Sequence, residues 1–257
     1  MNSVRLRNAA RGVCAFLLAT VSSVVSAQAP APGRETSAAS VASYALADQM
    51  PVDPEVLVGG LPNGLRFYVR PNAKPARQAE LRLVVKAGSV LEDDDQRGLA
   101  HFVEHMEFEG TRRFPQQSIV DFLSSLGLSI GPDANAATSY DDTQYTLRVP
   151  ADVPGVLDRA LDVLEDWAQG ASFDPRGIER ERGIVLAEWR MHLGAEERTQ
   201  DKIRRAQLEG SRYADRTPIG DPDIIGLHVS PKGRGNSAPV PGSLYAWATE
   251  KFGVASR

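Results

Sequence analysis

Gly98-Leu99-Ala100-His101-Phe102-Val103-Glu104-His105-Met106 is the stretch on which the fold and the chemistry of this chain turn. In an α-helix, residues four apart stand one above the other, so His101 and His105 aim two imidazoles at one point. A tetrahedral zinc takes its ligands from a single helix in this way. Glu104 stands beside them, able to accept a proton from water without being a ligand itself. The order H-x-x-E-H inverts the commoner H-E-x-x-H metalloprotease helix. A catalytic zinc takes three protein ligands and a water, so this helix leaves one ligand to be found elsewhere.

The chain has 257 residues, enough for one large domain or two small ones. Its 42% hydrophobic and 24% charged residues are ordinary for a soluble globular protein. Net charge is −4 and no run of Lys or Arg forms a nucleic-acid footprint, so no DNA or RNA partner is expected. Arg5, Arg7 and Arg11 precede a short apolar stretch, Val13 to Val25, and Val25-Ser26-Ala27 gives the small-residue pattern of a cleavage site. Residues 1–27 therefore read as a secretory signal peptide, too short and serine-rich for a stable membrane span. Its removal takes away three arginines and no acid, leaving a charge of −7 in place of −4. The single cysteine, Cys14, leaves with it, so the mature chain has no disulfide or thiolate chemistry. Any metal must then rest on histidines and carboxylates.

Residues 28–54, rich in Ala, Ser and Pro, read as a flexible linker. Asn63-Gly64 marks a turn before a strand at Leu65–Val69, and a second strand runs from Glu80 to Ala87, with Leu81, Leu83 and Val85 on one face. Asp93-Asp94-Asp95 offers N-caps for the histidine helix. Pro115 opens a further helix that stops at Gly127. Strands at Asn135–Thr138 and Gln144–Val149 flank a turn. Val153 to Gln169 is amphipathic, its apolar stripe made by Val156, Leu157, Ala160, Leu161, Leu164 and Trp167. Asp174-Pro175, an N-cap followed by an N1 proline, opens a helix to about Met191, and Glu196 to Leu208 is a polar helix. This order predicts an α+β domain with helices packed on one face of a largely antiparallel sheet.

For the third ligand, residue chemistry leaves alternatives. Glu107 points away from the ligand face, and Glu109 reads as a solvated carboxylate. On the helix from Pro175, Ile178, Glu181, Val185 and Glu188 share one stripe, so two acids interrupt an apolar face. A buried acid is costly unless paired or metal-bound. Ion pairs to Arg180, Arg182 or Arg190 would satisfy them equally well. His192, four residues past Glu188, is a competing ligand, or a helix-end residue facing free carbonyls.

The histidine stretch, followed by Phe108 and Gly110-Thr111, resembles the signature of the pitrilysin/insulysin family of inverted-zincin metallopeptidases. Further similar segments follow in order: Asn135-Ala136 with Thr138, Tyr145-Thr146-Leu147, and Glu179 through Glu188. Leu61-Pro62-Asn63-Gly64-Leu65, Ser211-Arg212-Tyr213 and Pro218-Ile219-Gly220 are similar to the bacterial periplasmic branch. The resemblance implies zinc held by His101, His105 and Glu188, with Glu104 as catalytic base and Glu181 as an acid just behind the site. It also implies that the strand at Asn135 and Ala136 pairs with the bound peptide backbone.

The implied activity is zinc-dependent endopeptidase cleavage of peptides or unfolded protein by a secreted, periplasmic enzyme. The implied domain spans residues 55–226, an N-terminal domain of the family. Family members close two homologous halves around a chamber, so a second half or subunit is an expected partner. After Asp221 the resemblance calls for a helix and a strand completing the sheet. Instead, residues 228–243 are rich in Pro and Gly, and 227–257 read as an unmatched, disordered tail. The expectation is a truncated chain, by a frameshift near Leu227, or a short subunit. The alternative function is a non-catalytic member that binds zinc and peptide, or a partner subunit, without cleaving alone.

Overall fold

The computed structural model describes residues 51–227 and 247–252. The expected signal peptide, most of the expected linker, and residues 228–246 and 253–257 of the expected tail lie outside the described residues. The chain divides into two units, with the boundary between Tyr68 and Val69. The first holds β1 (Leu57–Gly60) and all but the last residue of β2 (Arg66–Val69), which pair as a hairpin. Its turn forms where Asn63-Gly64 predicts one, with Asn63 Oδ1 accepting the Leu65 N–H at 3.1 Å.

The second unit is built on a three-stranded sheet in the order β3 (Gln78–Val85), β5 (Thr143–Pro150), β4 (Ala134–Thr138), antiparallel throughout. Leu81 faces Leu147 and Leu83 faces Tyr145 in the register. Leu81, Tyr145, Leu147 and Val149 are buried while Arg82 and Arg148 are exposed, so the period of two gives the sheet one covered face.

The helices are α1 (Leu99–Glu109), α2 (Ser118–Ser125), α3 (Val156–Gln169), α4 (Pro175–Met191), α5 (Ala195–Gln207) and α6 (Pro222–Leu227). Helix α3 lies on β3 and β5, and α1 lies on β4 and β5 and packs against α4. The core between them contains Phe102, Met106, Tyr145, Leu147, Trp167 and Ile178. This is the expected α+β arrangement of helices on an antiparallel sheet. Among the described residues, no helix is long and apolar enough to cross a membrane.

Three local expectations are revised. The buried stripe of α3 is Val156, Ala160, Val163 and Trp167, while Leu157 and Leu161 are 41% and 51% exposed. The stripe is rotated because Asp166 takes an inside position, where the Thr111 hydroxyl and the Arg113 backbone N–H donate to it at 2.8 and 2.7 Å. Helix α2 begins at Ser118, not Pro115; Pro115 instead supplies the carbonyl that accepts the Ser118 hydroxyl at 2.6 Å. Within the expected tail, Ala248–Phe252 forms a π-helical turn, and Trp247 and Ala248 are buried in the core.

Candidate metal centre

Helix α1 is anchored by a residue that sequence reading passed over. Its N-cap is Gly98, at φ 104, a backbone region that suits glycine. None of Asp93, Asp94 and Asp95 caps it. The carboxylate of Glu92, fully buried, accepts the N–H groups of Gly98 and Ala100 at 3.0 and 2.8 Å. An acid at a helix N-terminus satisfies orphan donors and opposes the helix dipole. Burial nevertheless pushes the Glu92 carboxyl up to about 7, against the pull of the two backbone donors and Arg216. Arg216 Nε also donates to the Glu92 carbonyl at 2.8 Å, tying the segment after α5 to the start of α1.

Helix α4 starts as its sequence predicts, with Asp174 Oδ2 accepting from the backbone of Arg176 and Gly177 at 3.0 and 3.1 Å and Pro175 at the first position. Gly177 lets α4 approach α1 closely: a Cβ there would lie 2.7 Å from Glu109 Cγ. Along α4, Ile178, Glu181 and Val185 are buried and Glu188 is half-buried.

The two helices bring the predicted residues together. Glu188 Oε2 lies 3.6 Å from His101 Nε2 and 3.4 Å from His105 Nε2. The two imidazoles are 4.8 Å apart between centroids and nearly perpendicular. His101, His105 and Glu188 form the one group of three metal-capable side chains with converging ligand atoms among the described residues. Glu181 takes a different position: its Oε2 is 2.8 Å from His105 Nδ1, the ring nitrogen turned away from Glu188. The rival explanation of the two acids, pairing with arginines, is not what Arg180 and Arg182 do. Arg180 pairs with Glu109, and Arg182 with Glu179 and the carbonyls of Ile225 and Gly226.

Electrostatics divides the two histidines. Burial, with smaller contributions from His105 and His192, pushes His101 down to about 3, so its imidazole is neutral and able to ligate. Burial opposes charge on His105 too, but Glu181, then Glu104 and Glu188, hold it above the usual histidine range. Glu181 faces Nδ1, so Nε2 is the nitrogen turned toward Glu188, and a metal bound there would displace its proton. His101 Nδ1 is buried without a hydrogen-bond partner. Burial raises the Glu104 carboxyl, opposed by a hydrogen bond from Thr138.

The remaining candidates fall outside this group. His192 is the exposed C-cap of α4 and lines the cleft without joining the ligands. Glu109 is not solvated: its side chain is only 15% exposed and paired to Arg180. Asn135 is exposed and Ala136 half-buried on β4, the outer strand of the sheet. Ala136, Thr138, His101, Glu104 and Glu188 line an open cleft of about 830 Å³.

Residues 68–216 match insulinase (peptidase family M16). The chain belongs to this family. It is 41% identical over 178 residues to the probable zinc protease PqqL of Haemophilus influenzae, covering 69% of this chain and 19% of that one. It is 36% identical over 215 residues to the probable zinc protease PqqL of Escherichia coli, covering 84% and 21%. Among solved structures, it is similar to the first half of the periplasmic protease PqqL from Escherichia coli, with TM-score 0.70 and 34% identity, over 79% of this chain and 41% of that one. The chain thus spans about a fifth of the length of these curated relatives.

Within this insulinase-family domain, two acids near the centre had no anticipated role. One is Glu92. The other is Glu107, which does point away from the ligand face but is fully buried, with neither carboxylate oxygen bonded. Burial, and then Asp166, drives its pKa well above the usual range. For Glu107 the sequence signal was present, in the apolar neighbours Met106 and Phe108, whereas Glu92 is masked by the acidic run Asp93-Asp94-Asp95 that follows it.

Proposed function

We propose that this chain carries the catalytic site of a zinc-dependent endopeptidase, with His101, His105 and Glu188 as metal ligands and Glu104 as general base. The observation that carries this reading is the spacing of the donor atoms. Tetrahedral zinc with bonds of about 2.0–2.1 Å separates its ligand atoms by about 3.3–3.4 Å. The Glu188 oxygen lies 3.4 and 3.6 Å from the two Nε2 atoms, on helices held by their own caps. A neutral His101 and a carboxylate suit a divalent ion of this type.

Zinc held by His101, His105 and Glu188 would supply Lewis acidity to the scissile carbonyl and would make the attacking water more acidic. Glu104 accepts the proton of that water and passes it to the leaving amine, one residue acting as base and then as acid. Its burial in the cleft wall favours this exchange by bringing its pKa up towards the working range. Glu181 keeps the His105 ring in one tautomer and one orientation. The outer edge of β4, at Asn135 and Ala136, takes an extended peptide as an added strand beside the base. We place the protein in the periplasm, on its signal-like N-terminus and on its likeness to a relative described as periplasmic. The chain matches 41% of that relative's first half, and a second half or subunit is the partner that this reading assigns to it.

A second reading, zinc and peptide binding without cleavage by this chain alone, draws on the same partial coverage. A quenched-peptide assay on the purified, zinc-loaded chain separates the two. Cleavage that a chelator abolishes and zinc restores supports the peptidase, whereas bound zinc without cleavage supports the binding subunit.

A further inference from the structure

We propose that Thr138 is the positioning residue for the general base, fixing Glu104 from the strand that takes the peptide. This rests on the peptidase reading above. The Thr138 hydroxyl donates to Glu104 Oε2 at 2.6 Å. Threonine has a single hydroxyl proton, and the neighbouring groups determine where it goes. Thr143, the partner of Thr138 across the β4–β5 pair, is fully buried and gives its own proton to the Ala87 carbonyl at 2.9 Å. The two threonine oxygens are 3.4 Å apart, too far for a strong bond. The Thr138 proton is thus committed to Glu104, in a short contact to an anionic acceptor. The Thr138 backbone N–H is a further, weaker donor to the same carboxylate.

Glu104 is therefore held across the cleft, from the sheet, and not from its own helix. Ala136 and Thr138 share one face of β4 by the period of two, so the strand whose edge receives the substrate also carries the group that aims the base. Substrate and base are placed by the same five-residue element. Hydrogen bonds to a charged group are worth enough that losing this one lowers turnover by about 10- to 100-fold.

The test compares the full zinc-loaded chain with Thr138→Ala and Thr138→Ser. In Thr138→Ala the Glu104 carboxylate leaves its position in the crystal structure and kcat falls about 10- to 100-fold, with KM and zinc content unchanged. Thr138→Ser restores both carboxylate position and kcat. A merely structural role for Thr138 would move zinc content, KM and thermal stability together. Thr138→Val, which keeps the β-branched side chain without the donor, replaces Thr138→Ala should that variant not fold. A Glu104 carboxylate that stays in place without the hydroxyl overturns the proposal, whatever the activity. A wild-type chain that cleaves nothing overturns the peptidase reading instead, and the carboxylate position still decides the part played by Thr138.

Discussion

Glu181 Oε2 lies 2.8 Å from Nδ1 of His105, while Glu188 Oε2 lies 3.4 Å from Nε2 of the same ring. One imidazole is thus gripped on one nitrogen and offered on the other. Two acids seven residues apart on α4 have become different things, one behind a ligand and one beside it.

That difference gives the first expectation. Glu181→Ala weakens zinc binding by about 10- to 100-fold, the usual effect of removing a ligand's hydrogen-bond partner. Glu188→Ala weakens it by more, because a ligand is lost. Zinc titration against a competing chelator measures both, and the reverse order would mean that Glu181 is the ligand.

Glu104→Gln keeps the fold and the zinc, since Glu104 belongs to neither the ligand group nor the core. Peptide cleavage falls by about 10²- to 10⁴-fold, the contribution of a positioned base. His105→Ala, by contrast, loses zinc and cleavage together. Full activity in purified, zinc-replete Glu104→Gln would remove the base assignment.

Glu92 links the start of α1 to pH. Its folded pKa, about 7, lies above the ordinary 4.5, so the folded state favours the protonated form. The stability associated with Glu92 is therefore fully present below about pH 4.5 and is lost as pH rises through about 7. The interval corresponds to about 3 kcal/mol. Thermal unfolding followed between pH 4 and 8 should show the wild type losing stability relative to Glu92→Gln as pH rises. Parallel curves for the two proteins would contradict this.

Glu107 is a cost to the fold. Both of its oxygens are buried and unbonded, and Asp166 adds a repulsive charge. Glu107→Met replaces it with an apolar side chain of similar length, and should raise unfolding stability at pH 7 by about 1–3 kcal/mol. A loss of stability in that variant would show that Glu107 has a partner worth more than its desolvation.

The fold was legible at several points where one local rule governed, though Pro115 did not open α2. Asp174 and Pro175 fixed the start of α4 to the residue, and the four-residue step of His101 and His105 placed both on one side of α1. Local rules failed where a distant group won. Asp166 turns α3 away from its simplest apolar stripe because Thr111 and Arg113 reach it from 55 and 53 residues away. Glu92 replaces three nearer aspartates at α1 because the chain folds it beneath Gly98. Residue chemistry narrowed the third ligand to Glu181, Glu188 and His192 at the end of α4 without choosing among them. The choice depends on how α1 and α4 pack, which no single helix contains.

Zinc content, measured by elemental analysis on the purified wild-type chain beside Glu188→Ala, bears most directly on the site as a whole. One zinc per wild-type chain, with little in Glu188→Ala, is the expected result. Wild-type protein that holds no more zinc than Glu188→Ala, even after exposure to excess metal, would contradict the assignment of His101, His105 and Glu188 as a zinc centre.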